Sequence, residues 1–256
     1  MTSACKVAFI TGAGSGMGRL AARNLAAQGA LVAALDRNAD GLAETARGLP
    51  GIRTFAIDVT DANAVHTTVA SVETGLGPID RVYNCAAIMP YKKLLEQDVQ
   101  IQHKIMQINY GGLVNVAHAA LPPMLARRRG DFISFASMAG VIPTLMTGAY
   151  SASKAAVVTY TEILYHENRD QGVRFACVCP PAVDTPLLEQ GREAWPKALD
   201  NAGPALDPQD VLNAVERSLA RGEFLVFPGR SNRISYGMRR FFPNLVWKTI
   251  HKMEGF

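Results

Sequence analysis

The sequence predicts a doubly wound α/β fold, a seven-stranded parallel sheet with helices on both faces, formed by residues 1–229 as one domain and followed by a helical extension over 230–256. Three observations carry this expectation. Seven short apolar runs alternate along the chain with helix-like stretches. Several runs are apolar on successive residues, such as Val7-Ala8-Phe9-Ile10 and Leu31-Val32-Ala33-Ala34-Leu35, as strands covered on both faces require. A chain of 256 residues, 48% hydrophobic and 19% charged, suffices for one sizeable core.

The elements follow in order. A first strand over 6–11 runs into the glycine-rich Thr11-Gly12-Ala13-Gly14-Ser15-Gly16-Met17-Gly18, where a helix begins that Gly29 closes. Strands over 30–36 and 52–57 come next. Asp61 is placed to cap the following helix, which Gly75, Gly77 and Pro78 stop before a fourth strand over 79–84. The remaining strands fall at 131–137, 173–180 and 224–227. After Phe227-Pro228-Gly229 the alternation ends.

Beyond that point Ile234, Met238, Phe241 and Phe242 recur at helical spacing. Pro243 then opens a second stretch with Leu245, Val246, Thr249, Ile250 and Met253 on one side and Lys248, His251 and Lys252 on the other. Two short amphipathic helices are expected. Residues 230–256 hold six Lys/Arg and one acid, Glu254, against 20 basic and 21 acidic residues in the rest. The net charge of +4 therefore belongs to the tail, and a general nucleic-acid role has little support beyond this local patch. Three readings of the tail stay open: packing on the core or in an oligomer, a cover over a substrate pocket, and an interfacial membrane contact.

Cysteines at 5, 85, 177 and 179 form no disulfide framework, since Cys177 and Cys179 alternate along one strand. The five histidines are scattered, so no metal site is expected. With no apolar run long enough to span a bilayer and no leader-like start, the chain reads as cytoplasmic, with the tail leaving room for a peripheral position at the inner face of a membrane.

The glycine-rich turn lies between a strand and a helix, where glycines admit a pyrophosphate and the helix start offers free N–H groups. The spacing of Gly12, Gly16 and Gly18 is G-x-x-x-G-x-G. Asp36 ends the second strand, twenty residues after Gly16, where a carboxylate accepts from both ribose hydroxyls and repels a 2′-phosphate. NAD is expected over NADP, although the neighbouring Arg37 is the type of residue that accommodates the phosphate. These features make the expected sheet a Rossmann fold.

Tyr150-Ser151-Ala152-Ser153-Lys154 puts a phenol and an ammonium at i, i+4 on one helix face. A tyrosine is a poor base near neutrality, and an adjacent lysine cation is expected to stabilise its phenolate. Ser137 closes the fifth strand at the carboxyl end of the sheet, placed to hydrogen-bond a reacting oxygen.

Taken together, the Thr11–Gly18 turn, Asn84, Asn109, Ser137 and Tyr150-x-x-x-Lys154 resemble the short-chain dehydrogenase/reductase family, over about residues 6 to 228. The resemblance implies that Tyr150 is the acid/base, that Lys154 binds the nicotinamide ribose and lowers the tyrosine pKa, and that Ser137 orients the substrate oxygen. It implies that Asn109 holds a water linking the lysine to solvent. Among the cofactor contacts it implies Gly12, Ser15, Gly16, Met17, Gly18, Asp36, Arg37, Asp58, Val59, Asn84, Ala86, Pro180, Val183 and Thr185, beside Tyr150 and Lys154. It also implies a homodimer or homotetramer through helices near 94–127 and 150–170. Two positions depart from the family pattern: Ala87 replaces a glycine in Asn84-Cys85-Ala86-Ala87, and Pro181 replaces one in Pro180-Pro181. Pro181 is expected to alter the local geometry beside the nicotinamide.

The expected reaction is hydride transfer between NAD(H) and a hydrophobic secondary alcohol or ketone. Pocket walls are expected from 89–91, 138–146 and a lid-like 186–204 stretch, with Met89, Met138, Val141, Ile142, Leu145, Met146, Leu187, Leu188 and Trp195 making them apolar. The alternative is an NAD-binding regulatory or membrane-associated scaffold with vestigial catalytic residues, against which the intact tetrad argues. An epimerase or dehydratase would need a larger C-terminal domain than the tail can build.

Overall fold

The computed structural model describes residues 5–189, 204–229 and 231–254. Seven strands, β1 (Val7–Thr11), β2 (Leu31–Asp36), β3 (Ile52–Ala56), β4 (Arg81–Asn84), β5 (Gly130–Phe135), β6 (Val173–Val178) and β7 (Leu225–Val226), form one sheet in the order β3-β2-β1-β4-β5-β6-β7. Every pairing is parallel. The helices are α1 (Gly16–Ala27), α2 (Ala39–Ala46), α3 (Ala62–Gly75), α4 (Val99–Met106), α5 (Gly112–Ala126), α6 (Gly148–Asn168), α7 (Pro208–Arg221), α8 (Asn232–Phe241) and α9 (Pro243–Glu254).

The two-residue period of the strands divides the core between the faces of the sheet. Phe9, Val82, Phe132 and Phe175 pack with Val65, Val69 and Val72 of α3, with α5, and with Val157 of α6. Their neighbours Ala8, Ile10, Ile133 and Ala176 pack on the opposite face with Leu25 of α1, Leu42 of α2, and Val211 and Val215 of α7. This is the doubly wound arrangement expected from consecutive apolar residues. The edge strand β3 is the exception. Arg53, Thr54 and Ala56 are exposed there because no further strand pairs with it.

Caps end the helices where the sequence places them. Asp61 accepts from the Ala64 amide at the start of α3, and Gly29 takes φ +90° just beyond α1. The strand boundaries are tighter than expected. β5 stops at Phe135, so Ser137 lies beyond the strand and instead starts a 3₁₀ turn, Met138–Gly140, accepting from the Ala139 amide at 3.1 Å. β6 and β7 likewise stop short of Pro180 and Phe227.

Chain order reverses between β1 and β4: β1 pairs with β2 on one side and, after the crossover through α3, with β4 on the other. A crevice opens outside the carboxyl ends of strands at such a point. The candidate site lies there.

Candidate functional site

A cavity of about 480 Å³ runs from the β1–α1 turn to the 3₁₀ turn after β5. At one end Gly12 adopts φ +66°, and a Cβ on it would sit 2.7 Å from the Ala86 backbone nitrogen, so the turn after β4 closes tightly on the glycine loop. Asn84 and Thr11 tie the same two turns from beneath. The Thr11 hydroxyl donates to Asn84 Oδ1 at 2.9 Å and accepts from the Cys85 and Ala86 amides.

Ser15 occupies the N-cap position of α1, yet its hydroxyl caps no backbone amide. The first turn of α1 thus keeps N–H groups without a side-chain acceptor, and a cradle of glycines leads to them, which fits a pyrophosphate. Asp36 Oδ2 accepts from the Gly14 amide at 3.0 Å and Oδ1 from the Asn38 amide at 2.9 Å, fixing the carboxylate against the loop. A Cβ on Gly14 would lie 2.8 Å from Asp36 Cγ, so this glycine is required for the approach. Gly12, Ser15, Gly16, Met17, Gly18, Asp36, Arg37, Asp58, Val59 and Ala86 all line this half of the cavity.

At the other end Tyr150 and Lys154 rise from α6 and are 5% and 3% exposed. Lys154 Nζ donates to the Phe135 carbonyl at 2.7 Å and lies 5.7 Å from the Tyr150 ring centroid. Burial lowers the Lys154 ammonium to about 8, while the nearby thiols of Cys85, Cys177 and Cys179 act in the opposite sense. Burial raises the Tyr150 phenol well above its ordinary range, and a hydrogen bond with Ser137 pulls it back only in part. Desolvation dominates at this depth, so the phenol stays protonated across the neutral range. Ser137, Pro180, Val183 and Thr185 complete the lining here.

Asn84 and Asn109 do not line the cavity. Asn109 is 1% exposed and sits in a single π-helical turn, Gln107–Gly111, that joins α4 to α5. Its amide accepts from Ile88 N at 2.8 Å and donates to Ile88 O at 3.0 Å and to Ser153 Oγ at 2.9 Å. The π turn so pins the loop after β4 to α6, one residue from Lys154. Both asparagines are positioning residues in this geometry.

Met89, Met138, Leu145, Leu187 and Leu188 line the substrate end, together with Tyr91, Thr144 and Thr147. Val141 packs on the core beneath the sheet instead, and neither Ile142 nor Met146 reaches the cavity. Met146 holds φ +60°, and its carbonyl accepts from the Lys92 amide at 2.8 Å, joining the two walls. Trp195 and most of the lid-like stretch lie outside the described residues. Ala87 lines the cavity without entering the left-handed region, as only Arg128 and Met146 do among described non-glycine residues.

Several contributors carry no sequence signal of their own. Arg19 donates to Thr45 Oγ1 at 3.1 Å and to the carbonyls of Gly14 and Gly41, bracing the glycine loop on α2. Ser153 bonds Asn109 from within the Tyr-x-x-x-Lys segment.

Comparison with known proteins agrees with this geometry. The family model described as short chain dehydrogenase matches residues 6–195. An uncharacterized oxidoreductase of Staphylococcus saprophyticus is 36% identical over 82% of this chain and 88% of its own length. Dehydrogenase/reductase SDR family member 6 of Danio rerio is 33% identical over 75% of this chain and 76% of its own. The crystal structure of a short-chain dehydrogenase/reductase from Burkholderia phymatum in complex with NAD superposes with a TM-score of 0.86 at 26% identity, covering 94% of this chain and 95% of that one. With this sheet order, this cavity and a family match across most of its length, the chain belongs to the short-chain dehydrogenase family.

Proposed function

We propose that this oxidoreductase transfers hydride between NAD(H) and a hydrophobic secondary alcohol or ketone, with Tyr150 as the acid/base. The observation that carries the reading is the single cavity with an Asp36-braced glycine cradle at one end and Tyr150, Lys154 and Ser137 at the other. The nicotinamide, when bound, accepts the hydride in oxidation and donates it in reduction.

The chain's own groups divide the remaining work. In reduction the Tyr150 phenol gives its proton to the carbonyl oxygen, and in oxidation its phenolate takes the alcohol proton. The Ser137 hydroxyl donates to the same oxygen as charge develops on it. Lys154, held on the Phe135 carbonyl, supplies the positive charge beside the phenol and would hold the nicotinamide ribose. Asp36 would receive the adenine ribose hydroxyls and disfavour a 2′-phosphate, which supports NAD, with which the Burkholderia neighbour is in complex. Asn84 and Asn109 hold the loops that frame the cofactor. Met89, Met138, Leu145, Leu187 and Leu188 favour an apolar substrate over a polyol.

Exposed apolar side chains support a homodimer or homotetramer. Leu94, Leu95, Val99 and Ile101 around α4 and Ile163 on α6 all face solvent in the single chain.

The test is the reduction of NAD and of NADP by the purified protein against aliphatic, aromatic and steroid secondary alcohols, with sugar alcohols beside them. Turnover with NAD on apolar alcohols is expected. Cofactor binding without turnover on any of them would favour the scaffold reading, and preference for a polyol would overturn the substrate class.

A further inference from the structure

Residues 224–253 contain no Asp or Glu, yet they hold every excess positive charge of the chain. In the structure this run forms α8 and α9, two helices that pack on one another through Arg239 over the Trp247 ring at 5.8 Å. The pair is rooted by Tyr236, stacked on Phe227 at 5.1 Å. From 231 to 252 no residue is buried. Ile234, Phe241, Phe242 and Leu245 are 70%, 73%, 55% and 52% exposed, and three of these four cluster at the Pro243 turn between the helices. Arg233, Arg240, Lys248 and Lys252 make no ion pair among the described residues.

Large exposed rings beside unpaired cations need an occupant with both an apolar and an anionic side. A second copy of this surface brings the same positive charge, and the chain outside residues 224–253 is close to neutral, with 20 basic against 22 acidic residues. The cavity of the same chain is not covered either, because none of its lining residues comes from α8 or α9. Helices of 10 and 12 residues are also too short to span a bilayer, and no described helix is long and apolar enough to cross one.

We propose that α8 and α9 dock the protein on an anionic lipid surface. Ile234, Phe241, Phe242 and Leu245 enter the headgroup–acyl boundary while the Lys and Arg side chains stay at the phosphates. The inference rests on the tail alone and holds whatever the substrate is.

Flotation of the full chain tests it, using vesicles of phosphatidylcholine alone and vesicles of one part phosphatidylglycerol to two parts phosphatidylcholine. Recovery with the anionic vesicles only, weakened by salt, is expected. Phe241→Ser with Phe242→Ser should lower that recovery by about tenfold or more, and Arg240→Gln with Lys248→Gln by severalfold, without changing the melting temperature. Equal recovery with both vesicles, or recovery with neither, would overturn the proposal. So would a fall in oligomer size in the double serine variant, which would assign the face to contact between copies. Retardation by nucleic acid in a protein that ignores vesicles would do the same.

Discussion

Lys154 gives up stability to serve the site. Its ammonium is 3% exposed, and burial holds it near 8 against an ordinary 10.5. Between those values the unfolded chain keeps a proton that the folded chain has released, so stability rises with pH across this window. Below about 8 both states are protonated and the full cost of burial, on the order of 3 kcal/mol, is felt. Lys154→Met should therefore melt a few degrees higher than the wild type at pH 7, with the gain shrinking from pH 8 to 10.5, while losing activity. Scanning calorimetry across that range checks the sign. Because burial keeps the Tyr150 phenol protonated well past neutrality, reduction should hold its rate across the neutral range, while oxidation, which needs the phenolate, should rise with pH. Asp36 acts at the other end of the cavity. Both of its oxygens already accept from backbone amides, so the carboxylate is fixed in place before any ribose arrives. Asp36→Ala should shift kcat/KM toward NADP relative to NAD by about tenfold or more. An unchanged ratio would remove the basis for assigning NAD.

At the level of elements, the two ends of the sheet do different jobs. Chemistry gathers where the strands end, but the strand starts are joined by buried charge. Asp131, near the start of β5, accepts from Arg81 of β4 at 2.7 and 2.9 Å and from Arg174 of β6 at 2.6 Å, while Arg81 also meets Glu216 of α7. Asp131→Asn leaves the arginines short of a countercharge in a buried setting and should cost roughly 3 kcal/mol of stability. Strand rise puts this cluster roughly 15 Å or more from Ser137, so kcat should not change. Denaturant melts paired with steady-state rates separate the two effects. The connection at Asn109 works the other way. A π turn there spends the whole amide on Ile88 and Ser153, fixing two loops that frame the reacting groups.

Over the whole molecule, sheet, helices and tail were legible because each rests on local patterns. Consecutive apolar residues mark β1 and β2, Asp61 and Gly29 mark helix ends, and Ile234, Met238 and Phe241 at helical spacing mark α8. Ser137 lies two residues beyond the end of β5 rather than in the strand, because a hydrophobic run does not reveal the residue at which the ladder hydrogen bonds stop. Long-range consequences were not legible. Nothing local to Arg19 announces that it braces the glycine loop, and nothing in Val141 or Ile142 tells the cavity from the core. The direction of the Tyr150 shift also depends on depth in the fold, which spacing does not contain.

Proton transfer by Tyr150 is tested by comparing the wild type with Tyr150→Phe for NAD binding and for NAD reduction on the best alcohol of the panel. The variant should bind NAD with nearly unchanged affinity and lose about a hundredfold to ten-thousandfold in kcat. A variant that turns over at the wild-type rate would contradict the assignment of Tyr150 as the proton-transfer residue.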